Sequence, residues 1–288
     1  MMTRMGSASY TTDTSPEALA VQIDCLRRMT PRQRIRKTCA LSRSVKKMAF
    51  DAIRRRHPEH QDSEVQRLFI ELTYGKTLAS EARALVKART LANGANDLSD
   101  SDDLVDALGP VVDAFRRLNV RHFVGGSVAS SFHGATRSTM DVDVVCDLTE
   151  ENVSAFVASF DHDFYVSETA VREAVRRRSC FNLIHLPSSF KVDVFVSRGR
   201  PFDDEAMRRA TAQRLGESQT VDVPIASPED SILSKLEWYR LTDETSERQW
   251  EDVSRLVRLI GDELDRDYLN RAAESVGVVD LLARLLKR

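Results

Sequence analysis

The chain has 288 residues, 42% of them apolar and 30% charged, with a net charge of −2. That is enough for two domains and a sizeable core, with the composition of an ordinary globular protein. No apolar run approaches the roughly 18–20 residues of a membrane span, and the four cysteines, Cys25, Cys39, Cys146 and Cys180, have neither a zinc-site Cys-x-x-Cys spacing nor the density of a disulfide framework.

The opening segment, MMTRMGSASYTTDTSPE, lacks the apolar stretch of a signal peptide. Residues 1–15 read as a disordered, Ser/Thr-rich tail, and a reducing cytoplasm is the expected location. Residues 16–90 read as an all-helical module. Ser15-Pro16-Glu17 and Thr30-Pro31 each combine an N-cap with proline at the first helical position. The second helix is expected to run from Pro31 to about His57-Pro58, with Ile35, Leu41, Val45, Met48, Ala52 and Ile53 as its inward stripe. A third, from Asp62-Ser63, is expected to bury Val65, Leu68, Phe69 and Leu72. This module is basic: residues 1–90 hold 18 Lys and Arg against 9 Asp and Glu, leaving net −11 on the remainder. Three readings stay open for it: phosphate neutralisation on a nucleic acid, a solvated basic face, or packing on the acidic remainder of the chain.

Residues 91–103, LANGANDLSDSDD, read as a polar linker. After it the pattern turns mixed α/β over residues 104–226. A helix is expected over 104–118 and a short strand over 121–124. The strand runs into Gly125-Gly126-Ser127 and a helix closed by Gly134. Strands follow at 142–146, 182–186 and 190–196, with a helix over 151–160 between the first two. From Ser227-Pro228 to residue 288 the pattern is helical.

Asp141 and Asp143 lie two apart at the start of a strand, so both carboxylates point to the same side. Like charges so placed repel unless a divalent cation lies between them, and magnesium favours carboxylates with phosphate and water. A solvated strand end is the alternative for an isolated Asp-x-Asp. Gly125-Gly126-Ser127 lies upstream at a strand-to-helix junction, where glycines allow close backbone approach and a helix N-terminus offers N–H groups to an anion. A phosphate-cradling turn beside a carboxylate pair is far more specific than either alone.

The stretch HFVGGSVASSFHGATRSTMDVDVVCDL resembles the core motif of the DNA polymerase beta-like nucleotidyltransferase superfamily. Its His-Gly-x-x-Arg-x-Thr-x-Asp-x-Asp spacing is similar to the bacterial branch of AbiEii-type toxins and small antitoxin-like nucleotidyltransferases. The resemblance covers about residues 104–200, with PIASPEDSILSKLEWYR and SERQWEDVSRLVRL as its helical follow-on; the first 100 residues lie outside it. It implies an α/β (α+β) nucleotidyltransferase core with a small mixed sheet, preceded by the all-α module and followed by helices.

The resemblance also implies roles. Asp141, Asp143 and a third carboxylate, Asp193, hold Mg2+ (or Mn2+), and Asp193 can serve as the base. Gly125, Gly126 and Ser127 cradle the phosphates of a nucleoside triphosphate. Without the resemblance, Asp193 could equally be an edge-strand charge. Arg137 either reaches a phosphate or pairs with Asp141, and Lys235 either faces the nucleotide or is an ordinary solvated lysine. Asp252 is placed to bond Lys235 or Arg240. His133 reads as helix-end structure, and Trp238, Tyr239 and Trp250 as core or domain-contact residues, although aromatic rings near a nucleotide can also stack on its base. The expected activity is nucleotidyl transfer from a nucleoside triphosphate to a tRNA or protein acceptor, within a toxin–antitoxin system. A non-catalytic binding protein acting through its helical modules is the alternative, and transfer to a small molecule such as an aminoglycoside a third.

Overall fold

The computed structural model describes residues 15–93, 102–216 and 219–287. All of the expected tail but Ser15, and most of the expected linker, therefore lie outside the described residues. The first four helices are α1 (Pro16–Arg28), α2 (Pro31–Arg56), α3 (Asp62–Tyr74) and α4 (Lys76–Asn93). Ser15 and Thr30 cap the first two, and Thr30 forms a reciprocal capping box with Gln33.

The mixed region follows as α5 (Asp103–Arg117), β1 (His122–Val124), α6 (Gly126–His133), β2 (Asp141–Cys146), a short 3-10 turn with α7 (Val153–Val157), β3 (Phe164–Val166), α8 (Glu168–Arg177), β4 (Cys180–His185), β5 (Phe190–Val196), α9 (Pro201–Arg209), β6 (Thr211–Leu215) and β7 (Val221–Ile225). The strands form a seven-stranded mixed sheet in the order β3-β4-β5-β2-β1-β7-β6. The sequence led to four strands. The three it missed, β3, β6 and β7, are short, and β7 carries Pro224, a residue that argues against a strand when read locally.

The decisive pairing is β2 with β5, which run parallel with Asp143 opposite Asp193 and Asp141 opposite Lys191. Val142, Val144, Val192 and Val194 point to the other face, where Leu108, Val111 and Phe115 of α5 bury them. That alternation drives one face into the core and leaves the carboxylates on the other.

The chain closes with α10 (Pro228–Leu241), α11 (Glu247–Ile260), α12 (Arg266–Val276) and α13 (Val279–Leu286). Their own core is built around Leu233, Leu236, Leu256 and Tyr268. Buried Asp230 in this core accepts the Tyr268 hydroxyl. Among the described residues no helix is long and apolar enough to cross a membrane.

The N-terminal helices lie directly on the mixed region. Phe50, Val65, Phe69 and Ile70 share a core with Tyr165, Ile184 and Leu186. The buried face of α2 is only partly the expected one, sharing Ile35 and Ile53 with it. Ile35, Thr38, Ser42, Lys46, Phe50 and Ile53 turn inward, while Leu41, Val45 and Met48 are exposed. Two of the polar members, Ser42 and Lys46, are buried because each finds a distant partner, which sequence periodicity does not register. Ser42 Oγ accepts the Thr139 N–H at 2.9 Å, and Lys46 Nζ pairs with Asp103 and donates to the Ser188 carbonyl at 3.1 Å. On α3 the expected Leu72 is likewise exposed, and Gln66 and Ile70 take the inward positions.

Candidate functional site

The turn between β1 and α6 brings the glycines onto the carboxylate strand. The Gly125 N–H donates to the Asp143 carbonyl at 2.9 Å, which locks the turn to β2. Gly126 has φ of +54°, and a Cβ there would lie 1.6 Å from Asp143 Oδ2. Only glycine permits that approach. The Ser127 N–H, the next amide of the turn, bonds the Asp143 carboxylate. Gly125, Gly126, Ser127, Asp143 and Lys235 line one cleft of about 650 Å³, within the size range of nucleotide-scale sites.

Asp141, Asp143 and Asp193 project from the same face of neighbouring strands. Each carries a different set of neighbours. Asp141 accepts the Thr139 hydroxyl at 2.7 Å. Asp193 accepts Lys191 Nζ at 2.7 Å and Asn182 Nδ2. Burial, then the negative charges of Asp141 and Asp193, push the Asp143 carboxyl up to about 6, against the pull of Lys235 and the Ser127 N–H. Burial also raises Asp193, which Lys191 opposes. This is a set of hard oxygen donors, crowded enough to resist ionising together and suited in chemistry to magnesium or manganese. The Lys191 ammonium already occupies one position where positive charge is favoured.

A raised carboxyl keeps a proton in the folded state that the unfolded chain has released. Without a bound cation, the protein is therefore expected to lose stability as pH climbs from about 4 to about 6, by roughly 2–3 kcal/mol from Asp143. Denaturant midpoints across that range check this. Asp143→Asn should remove most of the decline, and an unchanged decline would place its source elsewhere.

Lys235 is buried at the wall of the cleft, with Nζ 2.8 Å from Asp252 Oδ2 and 3.2 Å from Gln249 Oε1. It is not a solvated helix lysine. Arg137 pairs with neither a strand aspartate nor open solvent: its Nε donates to both oxygens of Asp252, at 3.2 and 3.1 Å, and its Nη2 donates to Ser127 Oγ. Asp252 on α11 thus gathers two cations, one of which holds the glycine–serine turn. His133 closes α6, its Nε2 2.7 Å from the Ala226 carbonyl, and burial lowers its pKa. Tyr239 and Trp250 pack together in the C-terminal helices.

A model of the Rv0078B-related antitoxin family matches residues 27–91. The match falls on the helical module that the nucleotidyltransferase resemblance leaves out. No curated protein matches the chain. Among solved structures, the chain is similar to an antigenic nucleotidyltransferase-like protein from Paracoccidioides brasiliensis, at 21% identity and a TM-score of 0.39 over 65% of this chain and 93% of that one. It is also similar to the antibiotic-resistance factor ANT(2'')-Ia, at 14% identity and a TM-score of 0.33 over 62% and 90%.

Sequence reasoning missed several residues around the cleft. Lys191 counters the charge of Asp193 and Asn182 donates a hydrogen bond to it, and neither belongs to a motif. Arg178, Arg198 and Arg200 line the same cleft; of these, Arg200 is held by Glu237 at 2.5 Å and by Asp203 at 2.8 Å. Arg248 lies in the field of Asp141 and Asp143. Its place four residues before Asp252, on the same helical face, was the available signal. Trp238, read as a core or domain-contact residue with base stacking as the alternative, is 44% exposed and lines the cleft, so it is not a core residue.

Proposed function

We propose that the protein is a metal-dependent nucleotidyltransferase that moves a nucleotidyl group from a nucleoside triphosphate to a hydroxyl of a tRNA or protein acceptor. The observation that carries the reading is the seating of the Asp143 carboxylate on Gly126, with Asp193 in register on the next strand. A phosphate-binding turn and a carboxylate cluster in direct contact suit phosphoryl chemistry, where positioning and charge do most of the work. Magnesium or manganese held by Asp141, Asp143 and Asp193 would neutralise the phosphates and the charge that develops on them. The Gly126 amide and the Ser127 hydroxyl would bind phosphate oxygens, and Lys235 would supply a fixed positive charge. Asp193 would take the proton of the acceptor hydroxyl as its oxygen bonds the α-phosphorus, the bond to the bridging oxygen breaks, and pyrophosphate leaves.

The branch of AbiEii-type proteins and a toxin–antitoxin role belong to this proposal, the latter supported by the antitoxin-family match over residues 27–91. Incubation with α-labelled triphosphates, magnesium and total tRNA or lysate should label one acceptor, and Asp143→Ala should lower labelling at least about a hundredfold. Labelling that survives Asp143→Ala would defeat the assignment.

The same match and the exposed stripe of Leu41, Val45 and Met48 favour one alternative. In it the chain is a non-catalytic partner-binding protein that acts through its helical module. Failure of every triphosphate to bind in magnesium would select that alternative.

A further inference from the structure

The polar face of α10 toward the cleft is a single helical stripe: Ser231, Ser234, Lys235 and Trp238, at spacings of three, four and seven. Two members of the stripe are unaccounted for by packing. The Ser231 hydroxyl is buried with no hydrogen-bond partner. Trp238 leaves 44% of a large aromatic side chain exposed, one turn beyond Lys235. A buried hydroxyl without a partner is costly unless a ligand completes it.

The sheet beneath α10 has a matching gradient. On β2 and β5 the carboxylates Asp143 and Asp193 are followed, two residues on and on the same face, by Val145 and Phe195. Two strand residues span about 7 Å. Of these side chains, Asp143, Val145 and Phe195 line the cleft, so its floor passes from a carboxylate to an apolar patch, with Arg178, Arg198 and Arg200 among its other lining residues. Trp238 closes the apolar end, with its ring edge-on to Phe195 at 6.0 Å and 71°. An edge-on neighbour steadies the indole while leaving a face of it free.

We infer that Trp238 is the stacking platform for the base of the bound nucleotide, with Phe195 as its support. The nucleotide then lies along α10, base on Trp238 and phosphates by Lys235 and the Gly126 turn, with Ser231 at the phosphate end. This rests on the nucleotide reading above and adds to it the direction in which the nucleotide lies. Stacking engages the face of any base, so Trp238 supplies affinity for a nucleobase rather than choice among bases.

The chain has two tryptophans, Trp238 and Trp250, so Trp250→Phe leaves Trp238 as the sole indole reporter. The full-length protein is titrated in magnesium buffer with ATP, CTP, GTP and UTP, and with inorganic tripolyphosphate, which has no base. Binding is read by calorimetry and by indole emission. Nucleotides should quench Trp238 emission and tripolyphosphate should not. Trp238→Leu should weaken nucleotide binding by roughly tenfold to a hundredfold and leave tripolyphosphate binding unchanged, and Trp238→Phe should restore part of the loss. Nucleotide binding that leaves Trp238 emission untouched, or a Trp238→Leu loss equal for nucleotide and tripolyphosphate, would overturn the base platform and spare the nucleotidyltransferase reading. If neither ligand binds, both fall.

Discussion

Replacing Gly126 with alanine should all but abolish nucleotidyl transfer. A Cβ at this position would lie 1.6 Å from Asp143 Oδ2, 2.4 Å from its Cγ and 2.8 Å from its Cβ. No rotation of a distant side-chain tip relieves three such contacts, so the carboxylate must leave its seat. The left-handed φ of +54° adds about 1–2 kcal/mol of strain for any residue with a Cβ. The expected result is a melting temperature lowered by several degrees and a transfer rate reduced at least about a hundredfold. Gly125→Ala is the matched control. Its Cβ would meet only the Phe123 ring, at 3.8 Å, an ordinary contact. It should therefore fold as the parent does. Near-parental activity in Gly126→Ala would show that Asp143 need not sit where it does.

The second large effect is expected at Asp252. Its carboxylate is 4% exposed and faces Lys235, itself 5% exposed, and Arg137. Asp252→Ala leaves both cations without their shared counter-charge, and breaking a buried pair in this way costs about 3–5 kcal/mol. Gln249 stays within reach of Lys235, and Ser127 and the Ser138 carbonyl within reach of Arg137, so the lower part of that range is expected. Equilibrium denaturation measures the loss, and a change below about 1 kcal/mol would refute the pairing. Arg137 also holds Ser127, so the variant should bind triphosphate less well even where it remains folded. Asp252→Asn keeps the shape and one acceptor oxygen, and should fall between the two.

These residues differ in how far they were legible in the sequence. Gly126, Asp141 and Asp143 lie within one short turn–helix–strand unit, and their chemistry depends on local rules: glycine for close approach, period two for a shared face. Asp193 stood out as a charge within an apolar strand, although its exact register with Asp143 is a property of the sheet. Lys191 and Arg248 each carried a local signal that was not used, two residues before Asp193 on one strand face and four before Asp252 on one helical face, while Arg248's nearness to Asp141 and Asp143 comes from another element. The buried face of α2 was misread in part, at the positions where partners on other elements decide burial. Thr38, Ser42 and Lys46 look like surface residues, and Lys46 and Ser42 become interior ones through partners 57 to 142 residues away. Leu41, Val45 and Met48 obey the helical period and nevertheless face outward. The three missed strands are only three to five residues long, too short to show a period.

The N-terminal helices touch both carboxylate-bearing strands where those strands begin. Ser42 holds Thr139, and the Tyr74 hydroxyl lies 2.6 Å from the Met140 carbonyl and 3.0 Å from that of Ser189. Gln66 donates to Ser189 Oγ at 2.9 Å, and Lys46 to the Ser188 carbonyl. Met140 and Ser189 immediately precede the two strands that carry Asp141 and Asp193, so one side chain, Tyr74, sets the gap between them. In sequence the chain divides at residues 91–103; in space the two parts share a core. A gene cut there would leave all three carboxylates on one product, without the Ser42, Lys46 and Tyr74 side chains that hold the starts of their strands, and mixing the two products should restore the site only as fast as they find each other.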